Sequence, residues 1–248
     1  IIVMSVMNGF KTDLTNKILG LNPHIVVQPN GFKIQNKFEN LINEKYENID
    51  ISKTYTGEGV IMNDGNAKGI IIKGIDVNEN KNLDFLKKNI LDGNLENLKK
   101  KDVFIGAELA FNLDLAVGDK INLMSSSFIS TPFGSFPKQE TFLISAVFRT
   151  GFYEFDQNFV FLDLEDALSV FDKEKNDLNL EIYISNPMKA DKLKKQIQKL
   201  NKDYFVYSWT DVNKSFFSAL KVERNVMFII LTLIIIVAAF NIISGLTI

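Results

Sequence analysis

The sequence has no cysteine, which excludes a disulfide framework, a thiolate metal site and a cysteine nucleophile. Histidine is nearly as scarce: His24 is the only one, so a zinc site of several histidines and an acyl-transfer triad both lack parts. His24 itself reads as a surface residue at a strand end. Neither sign of charge is in excess. A formal charge of −2, with lysines and acids interspersed, leaves no basic face, and nucleic acid is not an expected partner. A phosphate-binding loop is missing too, because in Gly9-Phe10-Lys11-Thr12 a phenylalanine separates glycine from lysine and Met4 stands where the upstream glycine belongs. Two carboxylate groups remain as candidates for acid–base work or a cation: Glu154 with Asp156, and Asp163 with Glu165 and Asp166. Asp163 falls where a helix N-cap belongs, with Glu165 and Asp166 in the first turn, which accounts for the second group without chemistry. Asn213-Lys214-Ser215 matches a glycosylation acceptor, but such short matches arise often by chance. No metal or cofactor is expected on this chain.

Long apolar runs, by contrast, are present. Residues 226–248 are 23 in succession without a charge, about 34 Å of helix, which spans a bilayer. Thr232, Asn241, Ser244, Gly245 and Thr247 interrupt the run with types that let membrane helices approach or hydrogen-bond one another, so a multi-helix membrane protein is expected. The opening IIVMSVM is too short to span; residues 1–7 are expected to be the outer end of an earlier membrane helix, which would act as the insertion signal.

Between these ends, periodicity predicts an α+β domain. Phe10, Leu14, Ile18 and Leu21 mark a helix that stops at Asn22-Pro23. A strand follows at residues 24–28, then an amphipathic helix with Ile34, Phe38, Leu41, Ile42 and Tyr46 on its buried stripe. Strands at 51–62 and 67–75 flank the turn Asn63-Asp64-Gly65-Asn66. Near the end, LNLEIYIS alternates Leu178, Leu180, Ile182 and Ile184 against Asn179, Glu181, Tyr183 and Ser185, a half-buried strand. A helix with Ala190, Leu193, Ile197 and Leu200 on one face and the strand YFVYSW complete a β-α-β unit, before Asp211 starts the helix into the membrane. The two units would form one layer around an insertion. Residues 23–210 are expected to fold as a soluble monomer.

Within the insertion, GAELAFNLDLAVGDKINLM reads as a short helix, a Gly118-Asp119 turn and a strand, and ETFLISAVF as a strand of similar length. They enclose SSSFISTPFGSFPKQ, residues 125–139, longer than most structureless connections and therefore a candidate for function. Pro132 and Pro137 cannot donate a backbone hydrogen bond, so the segment is not expected to continue the sheet. Phe133 and Phe136 flank Gly134. Two readings stay open: both rings fold back onto the subdomain, or both protrude into a partner.

Three segments carry a family resemblance. VMSVMNGFKTDLTNKILGLNPHIVV and LKVERNVMFIILTLIIIVAAFNIISGL, at opposite ends, closely resemble the matching parts of the lipoprotein-releasing ABC transporter permeases, the LolC/LolE family within the FtsX/MacB-like permeases. Internally, STPFGSFPKQ is similar to the proline-containing Hook loop, which in LolC-type subunits captures the carrier LolA. The resemblance implies a multi-pass protein of a bacterial inner membrane with this domain in the periplasm. It implies a discontinuous Porter-like subdomain (residues 8–80 and 178–211) and an inserted, strand-rich Sabre-like subdomain (81–177) bearing the Hook near 128–138, with 212–248 leading into the second membrane helix. Implied partners are a cytoplasmic LolD-like ATPase that holds ATP and magnesium, a second permease copy or LolE-like subunit, a LolA-like carrier and acylated lipoprotein substrates. Thr131, Pro132, Phe133, Gly134, Ser135, Phe136 and Pro137 would be the carrier-binding residues, and Met7 would line an acyl-chain cavity. The Hook implies a LolC-like subunit or a combined type acting as a homodimer. Glu140 departs from the pattern, being acidic where a basic residue would suit an acidic partner, which puts the carrier affinity in question. Two other readings compete: an FtsX/MacB-type permease serving efflux or cell-wall hydrolase control, and the extracytoplasmic sensor of a signalling receptor.

Overall fold

The computed structural model describes residues 2–30, 36–46, 48–63, 65–76, 84–94, 100–132 and 134–247. Helix α1 (Ile2–Leu21) ends where Asn22 donates both its N–H and its side-chain Nδ2 to the Ile18 carbonyl, each at 3.0 Å, and Pro23 prevents another turn. Strand β1 (Ile25–Pro29), helix α2 (Asn36–Lys45) and strands β2 (Ile49–Asn63) and β3 (Asn66–Ile75) come next, in the β-α-β-β order that periodicity predicts. Ile34 and Asp64, assigned above to the helix stripe and the turn, lie outside the described residues. The middle of the chain forms α3 (Asp84–Lys88), β4 (Ile90–Gly93), β5 (Asp102–Gly106), α4 (Ala107–Asn112), β6 (Lys120–Thr131), β7 (Gly134–Phe148), α5 (Tyr153–Asn158), β8 (Phe159–Asp163) and α6 (Leu164–Phe171). The last part is β9 (Asn179–Ile184), α7 (Ala190–Leu200), β10 (Tyr204–Ser208), α8 (Trp209–Val212) and α9 (Lys214–Thr247).

The strands form one sheet, part of which closes on itself. β10, β1, β9 and β2 lie side by side and antiparallel. From β2 the pairing runs through β3, β8, β5, β7 and β6, and β6 returns to β2 at Gly59–Met62, so six strands have a neighbour on both sides. Closure removes the unpaired edges that invite association. Each of the six contributes a fully buried side chain to one interior: Ile61, Ile72, Val160, Ile105, Phe142 and Ile121. Helix α6 packs Ala167, Val170 and Phe171 onto this core and touches β2, β3, β6, β7 and β8, so it plugs the barrel. Its close approach needs Gly57 and Gly74, where an added Cβ would lie 2.6 Å from the Phe171 ring and 2.4 Å from the Ala167 Cβ.

A second core joins the two ends of the chain. Ile25, Val27, Leu180 and Ile182 on the sheet meet Phe38 and Ile42 of α2, Ala190 and Ile197 of α7, and Trp209 of α8. Ile18 of α1 is buried in it, and Phe216 and Phe217 of α9 pack against it. A fragment cut at 23 and 210 discards all three. We expect a fragment of residues 12–220 to melt well above one of residues 23–210, and equal melting temperatures would show that these helix ends add nothing to the domain.

Strand β9 corrects the expectation of a half-buried strand. Both its faces are covered, with Asn179 and Glu181 buried like Leu180 and Ile182 opposite them. A buried carboxylate needs a partner, and Lys73 of β3 supplies one, its Nζ 2.6 Å from Glu181 Oε1, while the Tyr183 hydroxyl donates to Oε2 at 3.0 Å. Helix α9 contains no fully buried residue and, among the described residues, is the one helix long and apolar enough to cross a membrane.

Candidate functional site

Strands β6 and β7 extend through the segment expected to be a loop. Their pairing continues from Phe128↔Pro137 through Ile129↔Phe136 and Ser130↔Ser135 to Thr131↔Gly134, with only two residues of sequence between the paired ends. The correction has a physical reason. β2 pairs with β6 only as far as Ser125, and β5 and β4 meet β7 only from Leu143 onward, so among the described residues no further strand flanks the distal part, a two-stranded ribbon in which the missing N–H of Pro137 is tolerated. Gly134, at φ +127°, takes the backbone conformation that closes the turn.

The ribbon is apolar and open to solvent. Phe128, Ile129 and Phe136 are 66%, 49% and 53% exposed, so the Phe136 ring does not fold back onto the barrel. Ile129 opposes Phe136 on one face, and Phe128 opposes Pro137 on the other. Pro132, Gly134, Ser135 and Pro137 are exposed; Thr131 ends β6, and Phe133 lies outside the described residues. Phe128 and Ile129 fall within the expected Hook near 128–138 but outside the expected carrier-binding residues 131–137, because sequence reasoning reads their strand as loop; their apolar type beside Ser130 is the available signal. Met7 sits in α1, and its side chain lies outside the described residues.

Glu140 does not present a free negative charge to a partner. It is an ion-pair partner of Lys101, lies 3.7 Å from Lys138 Nζ and accepts from Ser169 Oγ at 3.1 Å. Burial works against its ionisation, but Lys101, Ser169 and Lys138 outweigh it and hold the carboxyl below its ordinary pKa.

The other candidate carboxylates have local structural roles. Asp163 caps α6 as expected, accepting from Glu165 N–H at 2.9 Å. Asp166 is more than a first-turn charge: it is buried, which raises its pKa, and it accepts the Lys101 N–H. Asp156 is buried and accepts the N–H groups of Thr150 and Gly151 and the Thr150 hydroxyl, fixing the turn before α5. His24 is half-buried rather than a free surface group; its Nδ1 accepts the Ile184 N–H at 2.9 Å and burial lowers its pKa. A cleft of about 210 Å³ beside the segment that joins α1 to β1, α5 and α8 is lined by Lys73, Glu181, Phe155, Phe159 and Trp209.

Whole-length comparison sets this architecture beside named proteins. The lipoprotein-releasing system transmembrane protein LolC of Neisseria meningitidis is 30% identical over 255 residues, covering 99% of this chain and 61% of that protein. By sequence, the chain is a relative of the LolC proteins. LolC of Xylella fastidiosa is 25% identical over 99% of the chain and 60% of its own length, and LolE of Haemophilus influenzae 24% identical over 99% and 61%. The chain thus spans about three fifths of these LolC and LolE relatives. No family model matches it. Among solved structures, the periplasmic region of MacB from Actinobacillus actinomycetemcomitans aligns at a TM-score of 0.49 and 14% identity, covering 81% of this chain and 97% of that one. The extracellular domain of the transporter YknZ aligns at 0.48 and 12%, covering 75% and 99%.

Proposed function

We propose that this chain is the periplasmic domain, with adjoining membrane helices, of a permease subunit that extracts lipoproteins from the outer leaflet of a bacterial inner membrane and hands them to a soluble LolA-like carrier. The observation that carries the reading is the alignment with LolC-named proteins over nearly the whole chain. The exposed apolar ribbon supports the transfer step, since rings held in water gain most by entering a partner. In this reading residues 8–80 and 178–211 form the Porter-like part, 81–177 the Sabre-like part, and 131–137 the carrier contact. A separate LolD-like ATPase holds ATP and magnesium, a second permease copy or LolE-like subunit completes the complex, and Met7 faces the acyl chains. This chain performs no catalytic step.

Purification of the full-length protein from its native membrane tests the assignment. A nucleotide-binding ATPase is expected to co-purify, and the isolated permease is expected to hydrolyse no ATP. Turnover by the isolated permease, or a stable complex lacking an ATPase, would refute the reading.

A further inference from the structure

The root of the ribbon holds a feature that carrier contact alone does not require. Between the pairs Met124↔Gln139 and Phe128↔Pro137 the register shifts, so that Ser125, Ser126 and Ser127 stand opposite Lys138 alone. A bulge of this kind bends its strand and re-aims the residues beyond it. Here the bulged residues lie against the last turn of α6. Ser125 Oγ donates to the Val170 carbonyl at 2.6 Å, Ser127 Oγ donates to the Phe171 carbonyl at 2.5 Å, and Lys138 Nζ donates to the Ser169 carbonyl. Ser127 N–H donates back to Ser125 Oγ at 3.2 Å, tying the bulge together.

Three successive carbonyls at the end of one helix are thus bonded by side chains of the ribbon. The final carbonyls of a helix have no partner within it and carry the negative end of its dipole, so hydroxyl donors and an ammonium group suit them. The backbone cap of α6 uses earlier carbonyls: Lys173 N–H bonds to Leu168, and Asp172 N–H to Ser169. Val170 and Phe171 are left for the serines. Glu140, bonded to Ser169 Oγ, braces the same turn from β7. α6 is itself held to the barrel by the close contacts of Phe171 at Gly57 and of Ala167 at Gly74.

From this geometry we infer that the last turn of α6 is a seat that sets the direction of the ribbon, with Ser125, Ser127 and Lys138 as positioning residues. A two-stranded ribbon has little stiffness of its own. Seated, it presents its apolar tip in one orientation, and the partner spends less of its binding free energy on ordering it. The consequence for carrier binding rests on the proposed function; the mechanical claim does not.

This chain has no cysteine of its own, and any cysteine elsewhere in the full-length protein is replaced by serine before labelling. Nitroxide labels on Ser135→Cys near the tip and Lys195→Cys on α7, in the full-length protein, report their separation by pulsed electron resonance. The parent is expected to give one narrow distribution. Ser125→Ala/Ser127→Ala, and independently Lys138→Leu, are expected to broaden it, while Ser127→Thr, which keeps the hydroxyl, keeps it narrow. Ser127 and Lys138 are only partly buried, so Ser127→Ala and Lys138→Leu each serve should the double variant fail to fold. A narrow, unshifted distribution in folded Ser127→Ala and Lys138→Leu overturns the seat. Carrier affinity of the unlabelled variants is expected to fall on the order of tenfold. Broadening with unchanged carrier affinity upholds the seat and removes the ribbon from carrier capture.

Discussion

Alanine at both Phe133 and Phe136 is expected to weaken carrier binding by a factor on the order of 100 and to leave the melting temperature of the protein almost unchanged. The magnitude comes from area, since burying one phenylalanine is worth roughly 1.5–3 kcal/mol and about 1.4 kcal/mol is a tenfold change in affinity. The selectivity comes from exposure. Phe136 is more than half exposed and stands on a two-stranded ribbon, so its removal opens no cavity in the barrel. Phe128→Ala, on the opposite face, is expected to act in the same direction if the partner encloses the ribbon. Pro137→Ala should weaken capture less, by loosening the ribbon before it binds. Melting temperature and carrier affinity measured on the same samples decide the matter. A fall of several degrees with unchanged affinity would mean that the rings serve the fold, and the carrier assignment would be lost.

The largest loss of stability is expected from Lys73→Met. Lys73 reaches across the sheet from β3 to Glu181 on β9, and both side chains are largely buried. Removing one member of such a pair leaves a charge without its counterion, at a cost of about 3–5 kcal/mol. For a domain of this size that lowers the melting temperature on the order of 10 °C. Tyr183 softens the loss without cancelling it. Burial and the neighbouring Glu181 push its phenol to a higher pKa, so it stays protonated and keeps donating to the carboxylate. Lys73→Met/Glu181→Met should regain most of the stability, because two apolar side chains leave no buried charge. Calorimetry of the single and double variants checks this; a double variant no more stable than the single one would show that packing, not charge, holds β3 to β9.

What was readable in the sequence depended on whether an element had one covered face or two. α2 and α7 carry a single apolar stripe and β2 and β3 a single covered face, so their positions emerge from periodicity. β9 is found the same way, because its residue types alternate although both its faces are covered. β5 and β8 are short and nearly all buried, DVFIG and FVFLD, and a run that is apolar throughout has no period to read. Closure of the barrel was illegible for another reason: the return of β6 to β2 joins residues some 60 positions apart, which no local pattern records. At the candidate site, the prolines and phenylalanines of 131–137 mark the segment in the sequence, but the same prolines argue against strand. That inference holds for a central strand and fails for a ribbon that no further strand flanks among the described residues. The burial of Glu181 was equally hidden, since its partner Lys73 lies far away in sequence.

The joints between helices and sheet contain almost no slack. Three residues separate α1 from β1, and none separates β10 from α8. β1 and β10 are direct neighbours, with Ile25 opposite Ser208, and His24 binds across the gap by accepting Trp209 N–H on its carbonyl and Ile184 N–H on its ring. Two long levers are therefore anchored in a single stiff knuckle, where a loose linker would have let one swing without the other. Any scissoring of α1 against α9 must load β1, β9 and β10 together, and β2 carries that load from the sheet into the barrel wall.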